Sequence, residues 1–457
     1  MSTPPRMMFN AFVQLTPGHH FEGLWRSPWG QENPYDELDT WIGIAKRIEA
    51  AKFDGLFIAD TMGLYGAWGG DHRAHAEGAI SFPEDDAIIM AAALAAVTEN
   101  LSLGFTSALI QNYPFEFARL ASTVDRVTKG RAAWNIVPGS TLSSHRNVGI
   151  DEVPSNADRY ARAEEYLDVV FSLWEGSWAL DAVVKDAERG VYADPSKIFR
   201  INHASERFKV TGPHMNEPTP QRVPFLYTAG VSSNSVRLAA KYAEAMLMQV
   251  RTPQDAAGMV KDLGTYAREY GRRAEDIKVI QALHFVVGST EEEAKRKWEE
   301  NKEYINPRGT LVESAGILGM DLSGYDLDEE VDISSAPGFH GIFGEATLGK
   351  GRTTATPREI AAAAAVPPVV GTPEQIADVI EQWRDAGVTG INVGDYLFSR
   401  AYVDFADHVM PELQKRGIAQ REYAPGTVRE KVFGDGPFLN ERHPAAKLRG
   451  AFTDAIG

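Results

Sequence analysis

Eight short apolar runs punctuate the chain, at 8–14, 55–59, 101–107, 132–137, 224–228, 245–250, 279–287 and 391–393. None alternates polar with apolar residues as a half-solvated strand does. Each therefore predicts a strand buried on both faces, as a parallel sheet requires. Between the runs, apolar positions recur at helical spacing. Tyr160, Ala163, Leu167, Val170 and Trp174 share one helical face after the fourth run. Thr372-Pro373-Glu374-Gln375 reads as a capping box with proline at the first helical position, followed by Ile376, Val379, Ile380 and Trp383 and stopped by Gly387. Thr252-Pro253, and Thr290 with Glu293, open two further helices in the same way. Strand-then-helix units repeated eight times predict an α/β fold of the (β/α)8 TIM-barrel type, with an open doubly wound sheet as the alternative.

The chain has 457 residues and is expected to form one barrel domain over 1–457, with the excess length in insertions near 61–82, 138–155, 175–222 and 306–370. The first, second and fourth of these fall near the expected catalytic rim, where long loops serve as lids or substrate-binding elements. The tail from Gly417, rich in proline, glycine and charge, is expected to wrap the surface or a neighbouring subunit. A net charge of −17 disfavours nucleic acid and anionic lipid as partners and favours a small molecule or another protein. With no cysteine, the chain has no disulfide framework, thiolate zinc site or cysteine nucleophile. The N-terminal residues lack the apolar core of a signal peptide, and no apolar run approaches the roughly 18 residues of a membrane span. A soluble cytoplasmic protein is the expectation.

Several motifs carry candidate chemistry. Gly344-Glu345-Ala346-Thr347-Leu348-Gly349-Lys350-Gly351 imitates a phosphate-binding P-loop, but Gly351 replaces the Ser/Thr that would hold Mg²⁺ and no strand precedes it. It reads as a glycine-rich loop. No Gly-x-Gly-x-x-Gly follows the first strand, so electrons are expected to arrive on a carrier other than a tightly held NAD(P)H. The stretch from Tyr227 to Ser235 ends a strand in Ala-Gly and leads through small hydroxyl residues into a helix. It suits a phosphate at the helix N-terminus, or equally a plain N-cap at Ser233 or Asn234. Asp60 closes the second strand, where a barrel gathers its active-site groups, and could alternatively cap a turn. His72, His75 and Asp71 imitate a metal cluster, yet no firm helix holds them on one face, so a solvated loop and no metal is the reading. Glu84-Asp85-Asp86 reads as charge compensation at a helix N-terminus.

Longer strings point to a family. Asn10-Ala11-Phe12, Gly23-Leu24-Trp25-Arg26 and Phe53-Asp54-Gly55-Leu56-Phe57-Ile58-Ala59-Asp60 come first. Gly130-Arg131-Ala132-Ala133-Trp134-Asn135, Arg159-Tyr160 and Trp174-Glu175-Gly176-Ser177-Trp178 follow, then Asp194-Pro195-Ser196-Lys197, Ala229-Gly230-Val231-Ser232 and Val409-Met410-Pro411-Glu412-Leu413. In this order and spacing the chain resembles the bacterial-luciferase-like flavin monooxygenases, in the branch of the nitrilotriacetate, EDTA, dibenzothiophene-sulfone and long-chain alkane enzymes. The resemblance implies a TIM barrel, dimeric or tetrameric, that binds FMN at the carboxyl ends of its strands. It implies flavin contacts from Asp60, Thr106 and Asn135, and phosphate ligands Tyr160 and Ser232 flanked by Gly230 and Ser233. Asn156 stands where the family often has histidine and Ser235 where it often has glycine; Asn156 is expected to keep a hydrogen bond in the FMN site.

The resemblance also implies an activity: reduced FMN arrives from a separate NAD(P)H:flavin reductase, reacts with O₂, and one oxygen atom enters a small organic substrate, with C–S or C–N cleavage in some members. Catalytic roles fall to His19 and then Tyr65. Thr16, Ser81 and Ser140 replace the Cys, Gln and His of the long-chain alkane branch, which argues against an alkane substrate. The competing readings are a deazaflavin-dependent oxidoreductase of the same superfamily, a barrel hydrolase without flavin, and a non-catalytic flavin-binding protein.

Overall fold

The computed structural model describes residues 6–18, 21–64, 66, 68–139, 141–336, 352–364, 367–394 and 400–457. The eight runs become β1 (Met8–Gln14), β2 (Gly55–Ala59), β3 (Ser102–Ala108), β4 (Ala132–Val137), β5 (Phe225–Ala229), β6 (Ala245–Met248), β7 (Lys278–Val287) and β8 (Gly390–Gly394). The order is β6-β5-β4-β3-β2-β1-β8-β7, every pairing among them is parallel, and β6 pairs with β7. That last pairing, Ala245↔Lys278 through Met248↔Gln281, closes the barrel and removes the open-sheet alternative.

Closure explains the missing alternation. Met8 and Phe12 of β1 point inward with Phe57, Tyr227, Leu247 and Ala282, whereas Phe9, Ala11 and Val13 point outward under the helices. Both faces are dry. One polar layer interrupts the interior, where the Asn10 side-chain amide donates to Asn392 Oδ1 at 2.9 Å, with the Tyr227 hydroxyl 3.5 Å away.

The outer helices are α1 (Leu38–Ala50), α2 (Ala87–Ala95), α3 (Pro114–Val127), α4 (Asn156–Phe171), α5 (Ser233–Tyr242), α6 (Pro253–Glu269) and α7 (Pro373–Asp385). The capping boxes at Thr252 and Thr372 both form. α4 runs on through a π-helical turn, Ser172–Gly176, that seats Trp174 with its indole N–H on Ala118 O at 3.1 Å. The insertions hold structure of their own, notably the helices Arg73–Gly78 and Pro307–Leu318. The glycine-rich loop read at 344–351 lies outside the described residues.

The tail does more than wrap a surface. Val428, Val432 and Phe433 pack against the inward faces of the strands, at the end opposite the β-to-α loops. Arg429 anchors that plug: its guanidinium meets Glu244 at 2.6 and 2.7 Å and donates to Val223 O at 3.1 Å, with the side chain 2 % exposed. Removing one partner of a buried, hydrogen-bonded ion pair leaves an uncompensated charge and costs about 3–5 kcal/mol. Arg429→Met is therefore expected to lower unfolding stability by about that amount, read as a fall in the urea midpoint.

Candidate flavin site

All eight strands end at one rim, and the residues singled out above gather there unequally. Thr106 on β3 and Asn135 on β4 are register partners. The Asn135 amide donates to Thr106 Oγ1 at 3.0 Å, while the Thr106 hydroxyl donates to Ile58 O at 2.9 Å. Asn135 Oδ1 is buried without a hydrogen-bond partner. A buried carbonyl-type oxygen left open at the mouth of a barrel is suited to accept from a bound ligand.

A second group forms where β5 turns into α5. Gly230 has φ 137°, and a Cβ there would lie 2.7 Å from Ser235 Oγ. Only glycine lets the chain make this turn. Ser232 then caps α5, accepting from Ser235 N at 3.3 Å, so the cap is Ser232 rather than the Ser233 or Asn234 expected from sequence. Ser233 is the first residue of the helix. The Tyr160 phenol lies against Ser232 and Ser235, and burial raises its pKa while those two hydroxyls oppose the rise.

Next to it, Arg159 donates to Gly139 O at 2.8 Å and to Asn156 Oδ1, while its Nε is buried and unpartnered. Asn156 is exposed and its acceptor oxygen is taken by Arg159, so Asn156 acts through that arginine. Arg159 was visible in the sequence only as the neighbour of Tyr160; its contribution depends on the chain from Gly139 coming back beside α4. A helix N-terminus, two hydroxyls and a guanidinium around one turn make a donor set for a phosphate dianion.

At the ends of β1 and β2 the site turns acidic. Asp60 accepts from Ala87 N at 3.1 Å. Glu84 accepts from Gln14 Nε2 at 2.8 Å and from Thr61 N and Oγ1 at 3.3 and 3.1 Å. The carboxylate run is thus divided: Asp86 caps α2 through Ile89 N, as read from sequence, but Glu84 turns into the rim. Burial pushes Asp60 up to about 6, and burial with the neighbouring Asp60 pushes Glu84 up to about 8.

The solvated-loop reading of Asp71, His72 and His75 is corrected in part: Asp71 and His72 are exposed, but His75 lies on the helix Arg73–Gly78, fully buried with Nδ1 2.9 Å from Ile80 O. No group of three or more metal-ligating side chains converges among the described residues. His284, missed in the sequence, sits buried near the end of β7 with its ring 4.9 Å from Phe21. His19, Tyr65 and Ser140 lie outside the described residues.

With this geometry in place, comparison with known proteins is decisive. The luciferase-like monooxygenase family pattern matches residues 14–390. The chain belongs to that family. It is 36% identical to the dimethyl-sulfide monooxygenase of Hyphomicrobium sulfonivorans, over 98% of this chain and 95% of the relative. It is equally 36% identical to the long-chain alkane monooxygenase of Geobacillus thermodenitrificans, over 97% and 98% of the two chains. The crystal structure of DmoA from Hyphomicrobium sulfonivorans superposes with a TM-score of 0.90 at 35% identity, covering 99% of this chain and 98% of that one. A riboflavin lyase solved with modified FMN and riboflavin superposes at 0.89 with 30% identity, over 97% and 100%. This luciferase-like protein is an enzyme, a flavin-dependent monooxygenase.

Glu84 gives the family member here a pH signature. A carboxyl raised in the folded state binds more protons folded than unfolded, so stability is full below the unfolded value and is lost as pH rises through the folded one. Wild-type stability is expected to fall from about pH 4.5 towards about pH 8, and Glu84→Gln to flatten that slope, measured by urea unfolding across the range.

Proposed function

We propose that this chain is the oxygenase component of a two-component system: it takes reduced FMN from a separate NAD(P)H:flavin reductase and, with O₂, inserts one oxygen atom into a small organic substrate. The other oxygen leaves as water, with both electrons drawn from reduced FMN. The observation that carries this reading is the turn at Gly230, where Ser232, Ser235 and the Tyr160 phenol meet and the Arg159 charge acts on the phenol. Bound reduced FMN supplies the electrons that activate O₂.

The chain's own residues do the rest. Tyr160, Ser232 and Arg159 would hold the phosphate, with Gly230 and Ser233 shaping the turn. Thr106 and Asn135 would meet the ring from β3 and β4, Asp60 from the end of β2, and Asn156 would steady Arg159. The helices of the insertions, such as Arg73–Gly78 and Leu142–Asn147, would exclude water from the reacting centre. His19 and Tyr65 are proposed beside the reacting oxygen, as proton donor and hydrogen-bond partner.

Relatives named for dimethyl sulfide and for nitrilotriacetate support a small organic substrate that carries sulfur or nitrogen. A homodimer or homotetramer working in the cytoplasm completes the reading. The deazaflavin alternative draws only on the fold: a coenzyme F420-dependent tetrahydromethanopterin reductase from Methanopyrus kandleri superposes at TM-score 0.55 with 15% identity.

Two measurements test the proposal. Ser232→Ala with Tyr160→Phe is expected to weaken FMN more than riboflavin, since each hydrogen bond to a charged group is worth about 1.5–3 kcal/mol, or about ten- to a hundredfold in affinity. Equal weakening of the two ligands removes both residues from the phosphate. The purified chain is also expected to leave NADH unoxidised in the presence of FMN until a flavin reductase is added; rapid NADH consumption by the chain alone would overturn the two-component reading.

A further inference from the structure

Above the rim, the helix Pro307–Leu318 comes down onto the loop that follows β1, and at that contact the chain buries acid. The Glu22 carbonyl accepts from Asn306 N at 2.6 Å. Gly309 permits the close approach, because a Cβ there would lie 2.4 Å from Glu22 Cβ. Glu22 is 1 % exposed and neither carboxyl oxygen has a hydrogen-bond partner. Its charged neighbour is Glu313, on the same helix Pro307–Leu318.

Ser81 lies between them with φ 46°: its hydroxyl donates to Glu313 Oε1 at 2.6 Å, and its backbone and side chain also face Glu22, where they oppose the effect of burial without offsetting it. Glu313 keeps part of its surface open, so the pair is not sealed. His75 also faces Glu313, with its Nδ1 directed to Ile80 O. Burial holds both carboxyls above their usual range, and Glu313 adds to the effect at Glu22.

A carboxyl buried without a donor is costly, and a cation supplying N–H donors relieves that cost. Among the described residues no lysine or arginine forms a salt bridge to Glu22 or Glu313, and the His75 ring that faces Glu313 leaves its carboxyl still raised. Glu22 and Ser81 lie on the segments that follow β1 and β2, at the carboxyl ends of the strands, which puts the pair on the open face of the barrel. We propose that Glu22, Ser81 and Glu313 form an anchor for the substrate's far end and that the anchor takes a protonated amine. The inference deepens the monooxygenase reading and rests on it for its catalytic meaning. The anchor holds an ammonium through charge-assisted hydrogen bonds, tolerates a neutral end less well and rejects a carboxylate.

Three probes of one length test this by calorimetry on the full chain, with and without oxidised FMN: n-butylamine, 1-butanol and butyrate. Butylamine is expected to bind at least about tenfold more tightly than butanol, and butyrate more weakly than either. Glu313→Gln and Glu22→Gln are each expected to shrink the amine preference to about threefold or less while leaving butanol and FMN affinity unchanged. Equal binding of the three probes by the wild-type chain overturns the anchor, whatever the variants do. So does a preference that survives in both variants, or Mn²⁺ binding that competes with butylamine and is lost in Glu313→Gln, which would make the pair a metal site. Loss of the amine preference with FMN bound normally sinks this proposal alone, whereas failure to bind FMN sinks the function reading and leaves the amine result standing.

Discussion

The pairing of β6 with β7 is the contact on which the site depends. Without it the strands form an open sheet whose edges differ; with it, eight parallel strands present all their carboxyl ends to one rim. Parallel register then sets side chains at equal height. Thr106 and Asn135 touch because they are partners across β3 and β4 and both face inward. Gly230 is held at the lip by donating its N–H to Leu247 O of β6 at 3.0 Å, so closure also places the turn that Ser232 caps. At the opposite end the tail seals the barrel with apolar side chains, leaving the rim as the open face.

Charge is handled in two ways in this acidic chain. Away from the rim, two buried glutamates are neutralised by arginine. Glu244 is met by Arg429, and Glu175 by Arg222 and Arg449, with side chains of Glu175 and Arg222 almost wholly enclosed. At the rim the buried carboxyls are not. Asp60, Glu84, Glu22 and Glu313 are raised by burial, and among the described residues no salt bridge joins them to an arginine. The same residue type thus serves the scaffold in one place and stays available for a ligand or proton in the other.

Sequence alone carried the architecture far because local rules and burial agree in a barrel. Strands buried on both faces advertise themselves as unbroken apolar runs, and the observed β1, β2 and β4 match those runs residue for residue. Helix starts were equally legible, since Thr252 and Thr372 interact with residues three positions away. The turn at 227–235 was recognisable as a helix entry, although which serine caps it was decided by the backbone leaving Gly230.

What tertiary structure alone decided were contacts between segments far apart in the chain. Closure itself is one, since eight strand-helix units are compatible with an open sheet until β6 meets β7. Glu84 is another: beside Asp85 and Asp86 it reads as helix-end charge, and only the approach of Gln14 and Thr61 makes it a rim carboxyl. The pairing of Glu22 with Glu313 spans nearly three hundred residues and depends on Gly309 letting a helix close on the β1 loop. Such contacts leave no periodicity or spacing in the sequence. They arise from where packed elements come to rest, which short-range propensity does not encode.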